Sequence, residues 1–294
     1  MPTRGTDYAE LNRRLALEPD GRPAREVGVW TRDKLALLAY YLPQFAKLCT
    51  DKAGGWYYLD GLAGNGANDA RGFPLAKGSA LLGVSQVPPP SKAILIERDP
   101  GDAAILRERV RPLAGTVHVL EGDANQLIPL ELDYFDLAYL PGFCMLDPEG
   151  LELDWATVAA CAEHRRRGSP YELLIYFSTP GAARAGGVRA VPYADANRRR
   201  LQRLFGNQSW EGTTEQQAHG VLQPGEAGRQ YLALYKEQLT SLGYTTVIDR
   251  PSMREDGNLV YHMVFASANQ AGERIMRSAF ERAYGGQMPL QMWR

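Results

Sequence analysis

The chain has 294 residues, 45% of them hydrophobic, enough to bury a sizeable core as one elaborated α/β domain or two small ones. Its 33 basic and 34 acidic side chains leave a formal charge of −1, without the basic excess that advertises nucleic-acid binding, so any such contact must be local. Cys49, Cys144 and Cys161 are odd in number, widely separated and without metal-ligand spacing, which argues against a disulfide framework or a zinc site, and no apolar run approaches the roughly 20 residues that span a bilayer. The expectation is a cytoplasmic protein, its buried thiols kept reduced, with no membrane association.

Residues 1 to 27 mix Arg, Pro, Gly and acids without a clear period and read as an extended lead-in with one short helix. From Thr31, a candidate cap, Leu35, Leu38, Leu42 and Phe45 recur at helical spacing, with Pro43 placed to kink the helix. Residues 1–50 are thus a lead-in and helix packed on the core. Residues 51–294 read as a single α/β domain with inserted helices around 190–242.

The run Trp56-Tyr57-Tyr58-Leu59 enters Asp60, and a loop follows with Gly61, Ala63, Gly64 and Gly66. Small residues let a ligand approach the backbone, and in an open α/β sheet ligands sit beyond the carboxyl ends of the strands. Asp60 is then a carboxylate at a strand tip, able to face a cationic or amino-bearing group. A dinucleotide fingerprint would enter a helix directly. Here the loop continues to Gly78-Ser79, so the turn reads as one for S-adenosylmethionine; by itself, a glycine-rich turn is equally a tight connection.

Ala80 to Val84 is a short helix stopped by Val87-Pro88-Pro89-Pro90, and Ala93-Ile94-Leu95-Ile96 is a buried strand ending at Glu97. A carboxylate there matches the two hydroxyls of a ribose; the plainer reading is an ion pair with Arg98 or another cation. Asp99-Pro100 is a cap and first-turn proline for a helix through Ile105, Leu106 and Val110. Val117 to Leu120 is the third strand, followed by Glu121-Gly122-Asp123-Ala124-Asn125. Asp123, with Ala124, would accept from an adenine amino group, or Asp123 or Asn125 would cap the next helix; both roles are compatible.

Two segments compete for the fourth strand, Phe135 to Leu140 and Phe143 to Leu146; the second is favoured because it ends in Asp147-Pro148-Glu149-Gly150. An acid and a proline at that tip lie where a methyl acceptor would meet the donor, with Asp147 taking a hydrogen bond from the nucleophile, although Asp-Pro as a bare dipeptide is a turn. Leu151 to Arg167 reads as a helix closed by Arg165-Arg166-Arg167, which suits a helix C-terminus whatever the function. Leu173 to Phe177 is the fifth strand, leading to a small-residue loop from Ser178 through Gly187 that could line an acceptor pocket. Asn197 to Phe205 is helical; its Arg198-Arg199-Arg200 reads as a solvated face, with phosphate contact as the alternative. Tyr231 to Leu242 is a helix, Tyr244 to Ile248 and Leu259 to Ala266 are closing strands, and Glu273 to Tyr284 is a last helix. His118, His164, His219 and His262 show no ligand spacing, so no metal is expected.

Five strands alternating with helices or crossovers, then a hairpin-like pair, imply a Rossmann-like α/β fold of the class I methyltransferase kind, a mainly parallel seven-stranded sheet with helices on both faces. Val27 to Trp30, Lys34-Leu35, Tyr41-Leu42-Pro43, Tyr58 to Gly66, Lys77-Gly78-Ser79, Gly122 to Asn125, Asp147-Pro148-Glu149-Gly150-Leu151-Glu152-Leu153-Asp154-Trp155 and Phe177-Ser178-Thr179 together resemble the three-Cys-motif partner protein (TcmP) family. The resemblance extends more loosely to Leu204-Phe205-Gly206 and the final helix, so it covers most of the chain. It implies an S-adenosylmethionine-dependent methyltransferase and a separate partner protein that carries the cysteines. The chain departs from the family in Gly64-Asn65-Gly66, where Gly-Pro-Gly or Gly-Ser-Gly is more familiar, and in Glu149, where members carry an aromatic. An aromatic there would stack on a flipped base, so base methylation loses support. Two functions therefore lead, methyl transfer to a nitrogen or oxygen acceptor or a methyltransferase-shaped partner protein in a multi-protein defence or modification system that does not turn over, and a dinucleotide-dependent oxidoreductase comes third.

Overall fold

The computed structural model describes residues 8–28, 30–70, 72–113, 116–134, 139–164, 169–187, 193–253 and 257–283. In chain order, α1 (Tyr8–Leu15), β1 (Arg25–Val27), α2 (Thr31–Ala53), β2 (Tyr57–Asp60), β3 (Ala67–Ala70), β4 (Ala76–Lys77), α3 (Ser79–Val84) and β5 (Lys92–Glu97) form the first stretch. The middle holds α4 (Pro100–Val110), β6 (Val117–Glu121), α5 (Ala124–Tyr134), β7 (Gly142–Leu146), α6 (Trp155–Glu163) and β8 (Glu172–Phe177). The last third is α7 (Thr179–Gly187), α8 (Tyr193–Phe205), α9 (Glu211–Ala218), α10 (Pro224–Ser241), β9 (Thr246–Met253), β10 (Leu259–Ser267) and α11 (Gln270–Ala283).

A seven-stranded sheet runs in the order β6-β5-β2-β7-β8-β10-β9. β2 pairs with β5 in parallel, Asp60 opposite Leu95, and β5 pairs with β6 in parallel, Glu97 opposite Glu121. β10 is antiparallel to both β8 and β9. A mostly parallel sheet closed by an antiparallel pair is the class I methyltransferase arrangement inferred from the sequence, and the fold is therefore Rossmann-like.

By contacts the chain falls into two compact units, the first Met1–Gly122, Leu140–Phe143 and Asn269–Arg294, the second Asp123–Tyr139 and Cys144–Ala268. In the first, Tyr41, Phe45, Trp56, Tyr58 and Phe143 are buried together; the Tyr58 and Phe143 rings stack within 4° at 6.3 Å, and Trp56 meets Phe45 edge-on at 5.7 Å. These rings fill the space between α2 and β2, and offset or edge-on contacts add to the area they remove from water. In the second, Phe177, Phe205, Tyr231 and Tyr235 form a matching cluster, with Phe177 and Tyr235 at 4.8 Å, and all of β8 is buried. A continuous apolar strand such as Leu173 to Phe177 fits a sheet covered on both faces.

Several expectations need correction. The residue capping α2 is Trp30, and Thr31 is its first helical residue, because the Thr31 N–H closes a turn onto the Gly28 carbonyl before the helix begins. The helix expected from Leu151 starts only at Trp155; Leu151 to Leu153 precede the cap residue Asp154, and the Arg165 to Arg167 run lies outside the described residues. The segment after β8 is not a loop: Thr179–Gly187 is helical, with the Gly181 N–H bonded to Ser178 Oγ, the Ala182 N–H to the Ser178 carbonyl, and Pro180 in the first turn where it lacks nothing. The lead-in contributes β1, which with β3 and β4 makes a small separate sheet inside the stretch read as a loop. Of the rejected fourth-strand candidate, residues 135–138 lie outside the described residues, while β7 falls where the favoured segment was.

Candidate functional site

In the first unit the turn after β2 is built on two glycines in the left-handed region, Gly64 at φ 59° and Gly66 at φ 87°, where a side chain would be strained. Asp60 is fully buried, and its carboxylate accepts from the Leu62 N–H at 3.3 Å. The Tyr58 hydroxyl lies 2.9 Å from the Ser79 carbonyl and 3.4 Å from Asp60 Oδ2, so its single proton serves the nearer oxygen. The Ala63 N–H reaches the Ile96 carbonyl at 2.8 Å, and the Gly78 N–H reaches the Gly66 carbonyl at 2.7 Å. The turn is thereby tied to the end of β5 and to the start of α3.

Glu97, half-buried at the end of β5, spans this turn. Its Oε2 accepts from the Gly64 N–H and its Oε1 from the Asp99 N–H, both at 2.8 Å. These amide bonds stand where the alternative reading had a surface ion pair with Arg98 or another cation. Each carboxylate oxygen retains a lone pair, so Glu97 can still take two hydroxyl donors. Asp60, the 61–66 turn and Glu97, which lies 33 residues beyond Gly64, are thus one hydrogen-bonded assembly.

Two residues that carry no site role in the sequence reading hold the turn in shape. Asn65 accepts from the Ala67 N–H at 3.1 Å through Oδ1 and donates to Asp102 at 3.0 Å through Nδ2. Arg109, buried on α4, donates to both Asn65 oxygens at 2.8 and 3.0 Å, to Asp20 at 2.9 Å, and to the Arg22 and Pro23 carbonyls. Neither proline nor serine at position 65 could make this set of side-chain bonds. Its only sequence signal was the amide itself. The Arg109 guanidinium also holds the Asp20 carboxyl well below the usual carboxylate range, against the opposing effect of burial.

In the second unit Asp123 stands at the N-terminus of α5: its carboxylate accepts from the Asn125 N–H at 2.8 Å and its carbonyl from the Leu127 N–H at 2.9 Å. The capping role read from the sequence is present, and Ala124, the first residue of α5, is buried beside it. Asn125 joins this helix end to the segment after β7, donating to the Glu152 carbonyl at 2.8 Å and accepting from the Asp154 N–H at 2.9 Å and the Thr157 hydroxyl at 2.8 Å. Asp147 and Pro148 are half-buried directly after β7. The loop that follows is held by Glu152, whose carboxylate accepts from the Glu149 N–H and, at 2.8 Å, from the Gly150 N–H. Glu149 itself is exposed. Burial raises the Asp154 carboxyl; Arg203 at 3.5 Å counters this and the Asp123 charge adds to it.

Cys144 on β7 and Cys161 on α6 are buried thiols, and burial, with the neighbouring Cys161 adding to it, pushes the Cys144 thiol up; Cys49 is also buried. Among the described residues no cluster of His, Cys, Asp and Glu could hold a metal ion, and no helix is long and apolar enough to cross a membrane. His262, read as packing, is buried and also hydrogen-bonded: its Nδ1 lies 2.7 Å from Asp249 Oδ2, while Lys236 Nζ lies 2.5 Å from Oδ1.

No protein-family model matches the chain, and no curated relative matches it. Among solved structures it is similar to Trm1 from Pyrococcus horikoshii in complex with S-adenosyl-L-methionine, at 13% identity and a TM-score of 0.45 over 90% of this chain and 61% of that one. It is also similar to the O-methyltransferase from Bacillus cereus in complex with SAH, at 12% identity and a TM-score of 0.40, over 89% and 97% of the two chains. The chain thus spans about three fifths of the Trm1 chain.

Proposed function

We propose that the chain is an S-adenosylmethionine-dependent methyltransferase acting on a nitrogen or oxygen acceptor. The observation that carries this reading is the assembly in which Glu97 binds the Gly64 amide beside a turn with two left-handed glycines. The donor set fits the group: backbone approach at Gly61, Ala63, Gly64 and Gly66 suits the methionine portion, and the remaining lone pairs of Glu97 suit ribose hydroxyls. Asp60 holds the turn from behind; in the second unit, taken by itself, Asp123 with Ala124 suits an adenine amino group. When bound, S-adenosylmethionine would supply an electrophilic methyl group on a sulfonium, for in-line transfer to the acceptor. Asp147 accepts a hydrogen bond from the acceptor N–H or O–H and aligns its lone pair, and Pro148 fixes the backbone beside it. Positioning and exclusion of water do most of this work, so no strong base is required.

Within this class the Asp147 to Trp155 run supports membership of the three-Cys-motif partner family, hence a separate cysteine-bearing partner protein. The exposed Glu149, in place of an aromatic, favours a second reading, a partner protein of methyltransferase shape without turnover.

Titration calorimetry with S-adenosylhomocysteine tests the assignment. The parent should bind, Glu97→Ala should weaken binding at least tenfold, and Gly64→Val should abolish it. A parent that takes up no heat with this ligand would sink the proposal. Binding in the parent with no methyl acceptor found in cell extract, together with a co-purifying partner, would select the second reading.

A further inference from the structure

The basic run on α8 is a local departure from a chain of net charge −1. Over Tyr193–Phe205 there is one acid, Asp195, against Arg198, Arg199, Arg200 and Arg203. Leu201, Leu204 and Phe205 are buried, so they anchor the helix, and all four arginines are exposed. Arg199 and Arg203 stand four apart and Arg200 and Arg203 three apart, so like charges face one another along the helix at a cost to its own stability. Within the described residues that repulsion is little relieved. Arg200 contacts only the Asn197 amide oxygen at 3.4 Å, Arg203 has Asp154 at 3.5 Å, and Arg198 and Arg199 make no ion pair. Arg203 reaches the cap residue of α6, and Asp154 shares Asn125 with the Glu152 segment that holds the loop after Asp147. In this unit the arginine face thus continues into the loop assigned to the acceptor.

We propose that the exposed arginines of α8 bind the phosphodiester backbone of single-stranded RNA and deliver it to the Asp147 loop. This rests on the methyltransferase reading above. Guanidinium forks match phosphate oxygens two at a time, and a row of them on one helix suits a polymer of phosphates better than a single anion. A single strand is indicated because an acceptor group on it reaches the Asp147 loop without a duplex first being opened. RNA rather than DNA is indicated because the acid-bearing loop can take a hydrogen bond from a hydroxyl acceptor, which only ribose carries along its backbone.

Fluorescence anisotropy with a labelled 20-nucleotide RNA, its DNA counterpart and an RNA duplex, across a salt series, tests this without any turnover. The parent should bind the single-stranded RNA most tightly. The double variant Arg198→Ala/Arg199→Ala should bind at least tenfold more weakly, with the slope of log affinity against log salt reduced by about 1.4, the release expected for two lost phosphate contacts at roughly 0.7 each. Arg111→Ala, at an exposed site of the other unit, should bind as the parent does, and circular dichroism should show all variants folded. Equal RNA binding by parent and double variant would overturn the proposal, as would preference for the duplex or for DNA, or binding only to an acidic peptide. Calorimetry with S-adenosylhomocysteine on the same samples keeps the two readings apart: the double variant should bind it as the parent does, and loss of RNA binding with this intact overturns only the RNA proposal.

Discussion

Arg109 links the Asn65 oxygens to Asp20 and to the Arg22 and Pro23 carbonyls, so a single guanidinium fixes both a turn and a chain segment some ninety positions before it. A lysine would keep the charge and lose the fork. Arg109→Lys should therefore lower stability by about 2 kcal/mol, the scale of hydrogen bonds to a charged group, read as a lower urea midpoint, and should expose residues 20–23 to proteolysis. Unchanged midpoint and cleavage would show the fork to be dispensable. Asp249 carries a second residue-scale prediction. Burial works to raise its carboxyl, but the hydrogen bonds and charges of His262 and Lys236 outweigh burial and hold it below the ordinary value. A carboxyl lowered on folding contributes stability that is complete above its unfolded pKa, about 4, and is lost as pH falls through the lower folded value. Urea midpoints from pH 6 to pH 2 should fall less steeply on the acid side in Asp249→Asn than in the parent. None of these partners could be read from the sequence, because each meets its counterpart only after separate segments, 13 residues apart around Asp249 and up to 89 apart around Arg109, have docked.

Short helices are positioned by single close approaches. At Gly83 on α3 an added Cβ would come within 2.1 Å of the Tyr58 ring, which is buried and whose hydroxyl meets the Ser79 carbonyl. Gly83→Ala should cost about 1 to 3 kcal/mol through overpacking and should also weaken S-adenosylhomocysteine binding, since Tyr58 lies behind Asp60. Thermal unfolding and calorimetry read the two effects, and a variant as stable as the parent would disprove the contact. Asn125→Ala would strip three bonds from the segment after β7 and should weaken stability by about 1 to 3 kcal/mol, seen in the urea midpoint. Elements marked by caps were legible: Asp99 accepts from the Asp102 N–H ahead of Pro100, as the dipeptide implied. α7 was not, because its glycines and alanines resemble a loop, and its start depends on the Ser178 hydroxyl and on Pro180. β3 and β4 escaped notice because Ala-Asn-Asp-Ala and Ala-Lys carry no strand propensity and form only by pairing with each other and with β1.

The sheet was the most legible part of the molecule, since β5, β7 and β8 are continuous apolar runs that nothing but burial on both faces explains. Its acid-bearing strand tips were also legible, because a carboxylate after such a run has no packing reason to be there. The extent of the last pair was not: β9 begins two residues later than expected and continues through Asp249 and Pro251 to Met253, since pairing with β10 overrides the local turn signal of the proline. Pro251, opposite His262, lies in the outermost strand on that side of the sheet among the described residues. A ring nitrogen has no hydrogen to offer a newcomer, so this border is a poor template for recruiting a strand from another molecule. Restoring an amide there, as in Pro251→Val, should make the protein self-associate on concentration, visible as a growing sedimentation coefficient where the parent's stays constant.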